Sequence, residues 1–134
     1  MTTIKDSGNR EAFEGGAVRD TQDGKSRPDL ICPFFLERLG HQLAAGAKKY
    51  AERNWEKGMP QPRVKASKAR HTMSHDQGLE DEDHLAAEAF NLMVMISQEE
   101  RVKRGLLDPK WLSPELSHVK EDDLKSGDDS GGGY

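Results

Sequence analysis

Residues 79–104 read LEDEDHLAAEAFNLMVMISQEERVKR. Four consecutive acids, Glu80, Asp81, Glu82 and Asp83, lead into FNLMVMI at residues 90–96, a run that is apolar almost all round. Acids complement the positive end of a helix macrodipole, and Gly105 closes the stretch, so the pattern predicts a helix over residues 79–104. A helix that is apolar on every side is buried on several sides. A chain of this size with three helices can hardly surround it alone. The same stretch therefore predicts a subunit interface that includes Leu92, Met93, Val94, Met95 and Ile96.

Upstream, Leu36, Leu39, Leu43, Ala47 and Tyr50 recur at three and four residues, the stripe of a helix over residues 33–52. Gly40 and Gly46 interrupt it at a cost of about 1 kcal/mol each relative to Ala, which suggests a close approach by a helix or ligand. NWEKGMPQP at residues 54–62 reads as a loop, with Gly and two prolines as breakers. A weaker helix is expected over residues 63–76, and Lys110, Trp111 and Leu112 open a short C-terminal segment. Residues 1–26 form an arm with few large apolar groups, read as irregular. The helical body spans residues 27–116. Residues 117–134, acidic and then Gly/Ser-rich, read as a disordered tail. The expected class is all-α.

Composition bounds the function. The chain has 134 residues, enough for one domain. It carries 20 Lys and Arg against 24 Asp and Glu, a net charge of -4, and lacks the basic surplus of a nucleic-acid partner. One cysteine, Cys32, excludes an intrachain disulfide framework and a Cys-rich zinc site. No apolar run approaches the ~18 residues of a spanning helix, and no signal-peptide pattern opens the chain. A cytoplasmic protein without a membrane partner is expected. Leu, Ile, Val and Phe number 24 of 134, so few that either a few elements concentrate them or subunits share a core.

The acids before residue 84 admit two readings. In one they only complement the helix dipole. In the other, Glu80 and Asp83 at i, i+3 and His84 at i, i+4 share one helical face that Asn91 continues. Carboxylates so spaced suit Mg²⁺ or Mn²⁺. Asp81 and Glu82 would point toward solvent, and Glu88, one turn past His84, would join the face less readily. Glu37 on the first helix, with His41 one turn on, completes a three-carboxylate cluster if that helix packs against the third. Such a cluster repels itself without a cation. Lys48 and Lys49 would lie further along as phosphate partners, with Arg70 and His71 a further source of positive charge. Trp55, beside Asn54, is placed either to stack on a base or to sit in a core. Each of these residues also has an ordinary reading as a solvated or packed side chain.

The segments GGAVRD, GKSRPDLI, LERLGHQLAAGAKKYAERNWEKGMP, ARH and EDEDHLAAEAFNLM resemble the phage dATP/dGTP diphosphohydrolase family. Its members are similar to the MazG-like, all-α nucleotide pyrophosphohydrolases. The resemblance spans residues 8–96 and is most specific over GAKKY-x3-NWEKG. It implies a helical oligomer, a tetramer before a dimer, that hydrolyses a purine (deoxy)nucleoside triphosphate, dGTP foremost, to the monophosphate. Feeding phage 2-aminoadenine nucleotide synthesis in the host cytoplasm would be its role. The family's E-x-x-D motif is matched by Glu80 and Asp83. Its acid-rich first motif is reduced here to Glu37, and Phe34 stands where members carry an acid. The resemblance implies that Glu37, Glu80 and Asp83 hold Mg²⁺ or Mn²⁺ and act in catalysis. Lys48, Lys49, Asn54, Arg70, His84 and Asn91 would line the substrate site, with the arm (Arg19, Lys25, Arg27) folding over it. Two rival readings are an HD-type triphosphohydrolase, against which Asp83-His84 stands in reversed order, and a non-enzymatic helical phage adaptor.

Overall fold

A computed structural model describes residues 3–114, so the tail expected over residues 117–134 lies outside the described residues. Within them the chain divides into two compact units, one up to Leu30 and one from Ile31.

The first unit corrects the expectation of an irregular arm. Strands β1 (Arg10–Ala12) and β2 (Val18–Asp20) pair antiparallel with Arg10 opposite Asp20. Neither strand shows a period-2 apolar pattern, which is why the sequence conceals them. Polar bonds hold the hairpin instead. Asp20 accepts from the Ser7 hydroxyl and from Lys25 Nζ at 3.0 Å. The Ser7 hydroxyl and the Lys25 ammonium hold the Asp20 carboxyl at about 2. Arg10 donates from both terminal nitrogens to Asp6, at 2.6 and 2.7 Å.

The second unit is helical: α1 (Pro33–Lys49), α2 (Gln61–Asp76) and α3 (His84–Lys103). Prolines set two of the starts, since Pro33 and Pro62 occupy first-turn positions where no backbone donor is missed. Helix α1 ends at Lys49, three residues before the expected end, and Arg53 then turns with a left-handed φ of 55°. Helix α2 begins two residues earlier than expected and stops before Gly78, whose φ of 75° suits the residue after a C-cap.

Helix α3 begins at His84 rather than at residue 79. The Asp83 carboxylate accepts the Ala86 backbone N–H at 3.1 Å and is the N-cap, so the preceding acids lie in the connection, not on the helix. The far end is as read: Gly105, with φ 73°, follows the Arg104 C-cap.

The core lies mainly between α2 and α3, with α1 set against α3. Its buried apolar groups are small: Val64, Ala86, Ala87, Val94, Val102 and Leu112. Polar side chains fill the rest. Gln61 Nε2 donates to the Met95 carbonyl at 3.4 Å while its Oε1 accepts from Ser113 N–H at 2.9 Å. Gln98 Nε2 donates to the Met59 carbonyl at 2.7 Å. These two buried amides tie the connection before α2 and the chain after α3 onto the helix pair.

Helix α1 has no fully buried side chain, and of its expected stripe Leu36 and Tyr50 are exposed. On α3, Val94 is buried while Leu92 and Ile96 are open.

Gly58 has φ 96°, and a Cβ added there would lie 2.8 Å from Trp111 Nε1. Close approach of the indole and the positive φ both require glycine. Gly58→Ala should destabilise by about 1–3 kcal/mol, read as a lower urea midpoint with unchanged slope.

Candidate functional site

The connection into α3 gathers charge from all three helices. Arg38 on α1 donates to both Asp83 oxygens, at 2.8 and 2.6 Å. This bidentate pair, helped by the Ala86 N–H and against the burial that opposes it, holds the Asp83 carboxyl at about 2. The next residue, His84, is 5% exposed. Its Nε2 lies 2.7 Å from Asp81 Oδ1, which lowers the Asp81 carboxyl from its ordinary range. Its Nδ1 lies 3.0 Å from His71 Nδ1 on α2. Glu82 Oε1 is 3.6 Å from the same His71 nitrogen.

Further along the same α2–α3 seam is a cavity of about 670 Å³. Leu43 and Ala47 of α1 with its C-cap Tyr50 line one side, Val64, Ser67 and Arg70 of α2 another, and Phe90 and Asn91 of α3 a third. The connection between α1 and α2 adds Arg53, Asn54 and Trp55. Apolar walls with a few convergent polar groups are the usual make-up of a small-molecule site. Asn91 is buried and anchored, with Nδ2 donating to the Ala87 carbonyl at 2.9 Å and to Ser67 Oγ at 3.4 Å.

The residues expected from sequence divide between these places. Asn54, Arg70 and Asn91 line the cavity, and His84 and Asp83 sit at the charged cluster. Lys48 and Lys49 are exposed at the end of α1, Lys49 Nζ lying 5.2 Å above the Tyr50 ring. Glu37 is exposed on α1 and Glu80 is exposed in the connection. The shared helical face of Glu80, Asp83 and His84 is corrected, because Glu80 precedes the helix. Glu37, Glu80 and Asp83 also do not converge. Among the described residues one group of three His, Cys, Asp or Glu has its ligand atoms within 4.8 Å of one another, and it is His71, Glu82 and His84. That donor set, two imidazoles and a carboxylate, fits a divalent ion. Glu88 pairs with Lys68 at 3.9 Å instead of joining the acids.

Sequence reading passed over Arg38, Arg53, Arg63, the Asp81–His84 bond and the convergence of His71, Glu82 and His84. Asp-x-x-His at residues 81–84 was the available signal for the Asp81–His84 bond.

The family model described as dATP/dGTP diphosphohydrolase, N-terminal, matches residues 15–108. The chain belongs to this family. No match is found among curated proteins or among solved structures. The matched span of this diphosphohydrolase-family chain contains α1, α2, α3, the cavity and the charged cluster. No described helix is long and apolar enough to cross a membrane.

The Arg38–Asp83 pair has a pH signature. A carboxyl whose folded pKa is depressed contributes stability above its ordinary unfolded value, about 3.9, and that contribution is lost as pH falls through the folded value of about 2. Asp83 is partly exposed, so the effect is modest. Thermal midpoints measured from pH 5 to pH 2 should fall less steeply for Arg38→Gln than for the parent protein.

Proposed function

We propose that the chain hydrolyses a purine deoxynucleoside triphosphate, dGTP foremost, to the monophosphate and pyrophosphate. One observation carries this reading: the cavity and the charged cluster share the α2–α3 seam. His84 and Asn91 are seven residues apart on α3, about 10 Å along the helix axis, the length scale on which a nucleoside connects to its phosphates. The family match supports the same chemistry.

In this reading the nucleoside occupies the cavity, with its base against Trp55 or Tyr50. Arg70, Arg53 and Arg63, all on the lining, offset the triphosphate's charge, with Lys48 and Lys49 nearby on α1. Asn54 and Asn91 supply polar contacts. Water attacks the α-phosphorus, the bond to the oxygen bridging α and β breaks, and pyrophosphate leaves. We assign Glu37, Glu80 and Asp83 as the carboxylates that would hold Mg²⁺ or Mn²⁺ with the triphosphate, which requires the three to draw together around the ion and Asp83 to exchange Arg38 for it. Such an ion supplies charge neutralisation and a more acidic bound water. Residues 27–116 are the catalytic body, with residues 1–26 and 117–134 as appendages. In a phage-infected host cytoplasm, removing dGTP while yielding dGMP would supply 2-aminoadenine nucleotide synthesis.

A product assay across nucleoside triphosphates, with Mg²⁺ and with Mn²⁺, tests the reading. Monophosphate and pyrophosphate are expected, most rapidly from dGTP. Release of nucleoside and triphosphate, or no turnover, sinks it. Trp55→Ala should raise KM roughly tenfold, as expected for loss of a stacked base worth about 1–3 kcal/mol. Asp83→Asn should lower kcat by orders of magnitude. Asp81→Asn is no neutral control, because Asp81 holds His84.

We also propose a MazG-like helical assembly, a tetramer before a dimer. Its support is the open apolar surface: Phe34 is 75% and Ile96 55% exposed, with Phe35, Leu36 and Leu92 also open. Light scattering at micromolar concentration should show no monomer, and Leu92→Glu with Ile96→Glu should release one.

A further inference from the structure

We propose that His71, Glu82 and His84 form a nitrogen-rich site for a later transition-metal dication such as Co²⁺ or Zn²⁺, oriented by Asp81. This site is distinct from the all-carboxylate set assigned to the nucleotide's ion and does not depend on nucleotide hydrolysis.

The argument starts with proton placement. His84 Nε2 lies 2.7 Å from the Asp81 carboxylate, so that nitrogen carries the hydrogen. A neutral His84 then presents a lone pair on Nδ1. That atom faces His71 Nδ1 at 3.0 Å, with Glu82 Oε1 at 3.6 Å from the latter. A single proton between the rings would satisfy the two nitrogens. It would leave Glu82 out, since 3.6 Å is too long for a hydrogen bond.

A cation satisfies all three atoms. Ligands bonded at about 2.0–2.2 Å stand roughly 3.0–3.5 Å from one another; two of the three separations here, 3.0 and 3.6 Å, nearly match already, and the third is within 4.8 Å. The Asp81–His84 bond is the outer carboxylate that ligating histidines commonly carry, fixing tautomer and ring direction. Burial of His84 holds the ring in place. The alternative is a plain imidazole pair with an exposed glutamate beside it. Two nitrogen donors favour the later transition ions over Mg²⁺, which prefers an all-oxygen shell.

The test titrates the full chain with Co²⁺, followed by visible absorption, and with Zn²⁺, followed by calorimetry and thermal midpoint. One ion per chain is expected at this site, with a raised midpoint and no displacement by equimolar Mg²⁺. His71→Ala and Glu82→Gln, each checked for parental helicity by circular dichroism, should weaken uptake roughly tenfold or more. Asp81→Asn should weaken it by about 10–100-fold through loss of orientation. His75→Ala, exposed at the end of α2, should leave it unchanged. Absence of uptake by the parent protein, or uptake by folded His71→Ala and Glu82→Gln as tight as the parent's, overturns the site. Both results stand apart from the product assay, so dGTP turnover with Mg²⁺ can persist when this site fails, and this site can bind when turnover is absent.

Discussion

The first turn of α3 depends on one carboxylate. Asp83 caps the helix through the Ala86 N–H and anchors α1 through both oxygens, which receive Arg38. Because the cap is at residue 83, the next side chain, His84, belongs to the helix and turns inward to meet His71, while Glu80, Asp81 and Glu82 stay in the connection. A start four residues earlier would have put Glu80 and Asp83 on one face. It would also have required several acids to be held on the helix and their repulsion to be borne there. The observed start pairs Asp83 with a guanidinium and Asp81 with an imidazole, so two of the four acids are offset at short range.

Behind that turn the core is polar to an unusual degree for so small a unit. Gln61, Asn91, Gln98 and Ser113 are buried alongside Val64, Val94 and Val102. Hydrogen bonds contribute about 0.5–1.5 kcal/mol each, but a buried amide left without a partner costs more. The observed pairings are therefore constraints rather than large gains. Gln61 reads the Met95 carbonyl and the Ser113 N–H at once, and Gln98 reads the Met59 carbonyl. Together they fix the connection carrying Asn54 and Trp55 relative to α3, and through it one wall of the cavity. Gln98 Oε1 and Arg101 Nε are buried without a partner. The network is thus incompletely satisfied at its C-terminal end, away from the histidines.

The helices were legible because their signals are local. The stripe from Leu39 to Ala47, the proline at residue 33 and Gly105 are features a 3.6-residue period and first-turn chemistry expose, whereas Pro62, read as a loop breaker, sits in the first turn of α2. The start of α3 was misread because four acids look alike in sequence, and which one caps depends on Arg38, 45 residues away. The hairpin was hidden because its stabilising groups are Asp20, Ser7, Arg10 and Lys25 rather than an alternating apolar set. Of the residues expected at the site, Arg70 and Asn91 line the cavity and His84 reaches the charged cluster from helices whose periodicity or spacing was legible, whereas Asn54, read in a loop, was reached only through the family resemblance. Glu82, expected to point toward solvent, is instead the acid beside His71 and His84, because the turn and not the spacing sets where it lies.

Helix α1 is where the balance of forces is least settled. It supplies Arg38 to the charged cluster and Leu43 and Ala47 to the cavity wall, yet buries no side chain fully. Gly40 and Gly46 each cost it about 1 kcal/mol relative to Ala, and a helix of this length owes most of its stability to packing. The Arg38–Asp83 pair is partly exposed, and such pairs contribute at most about 1 kcal/mol. In a single protomer, therefore, the element that closes the cavity is also the least restrained. Covering Phe34, Phe35 and Leu36, each worth roughly 1.5–3 kcal/mol when fully buried, would outweigh those deficits. Assembly through that face would then determine the site's rigidity as well as the oligomer's size, since the strip that would bury Phe34 and Phe35 begins four residues before Arg38.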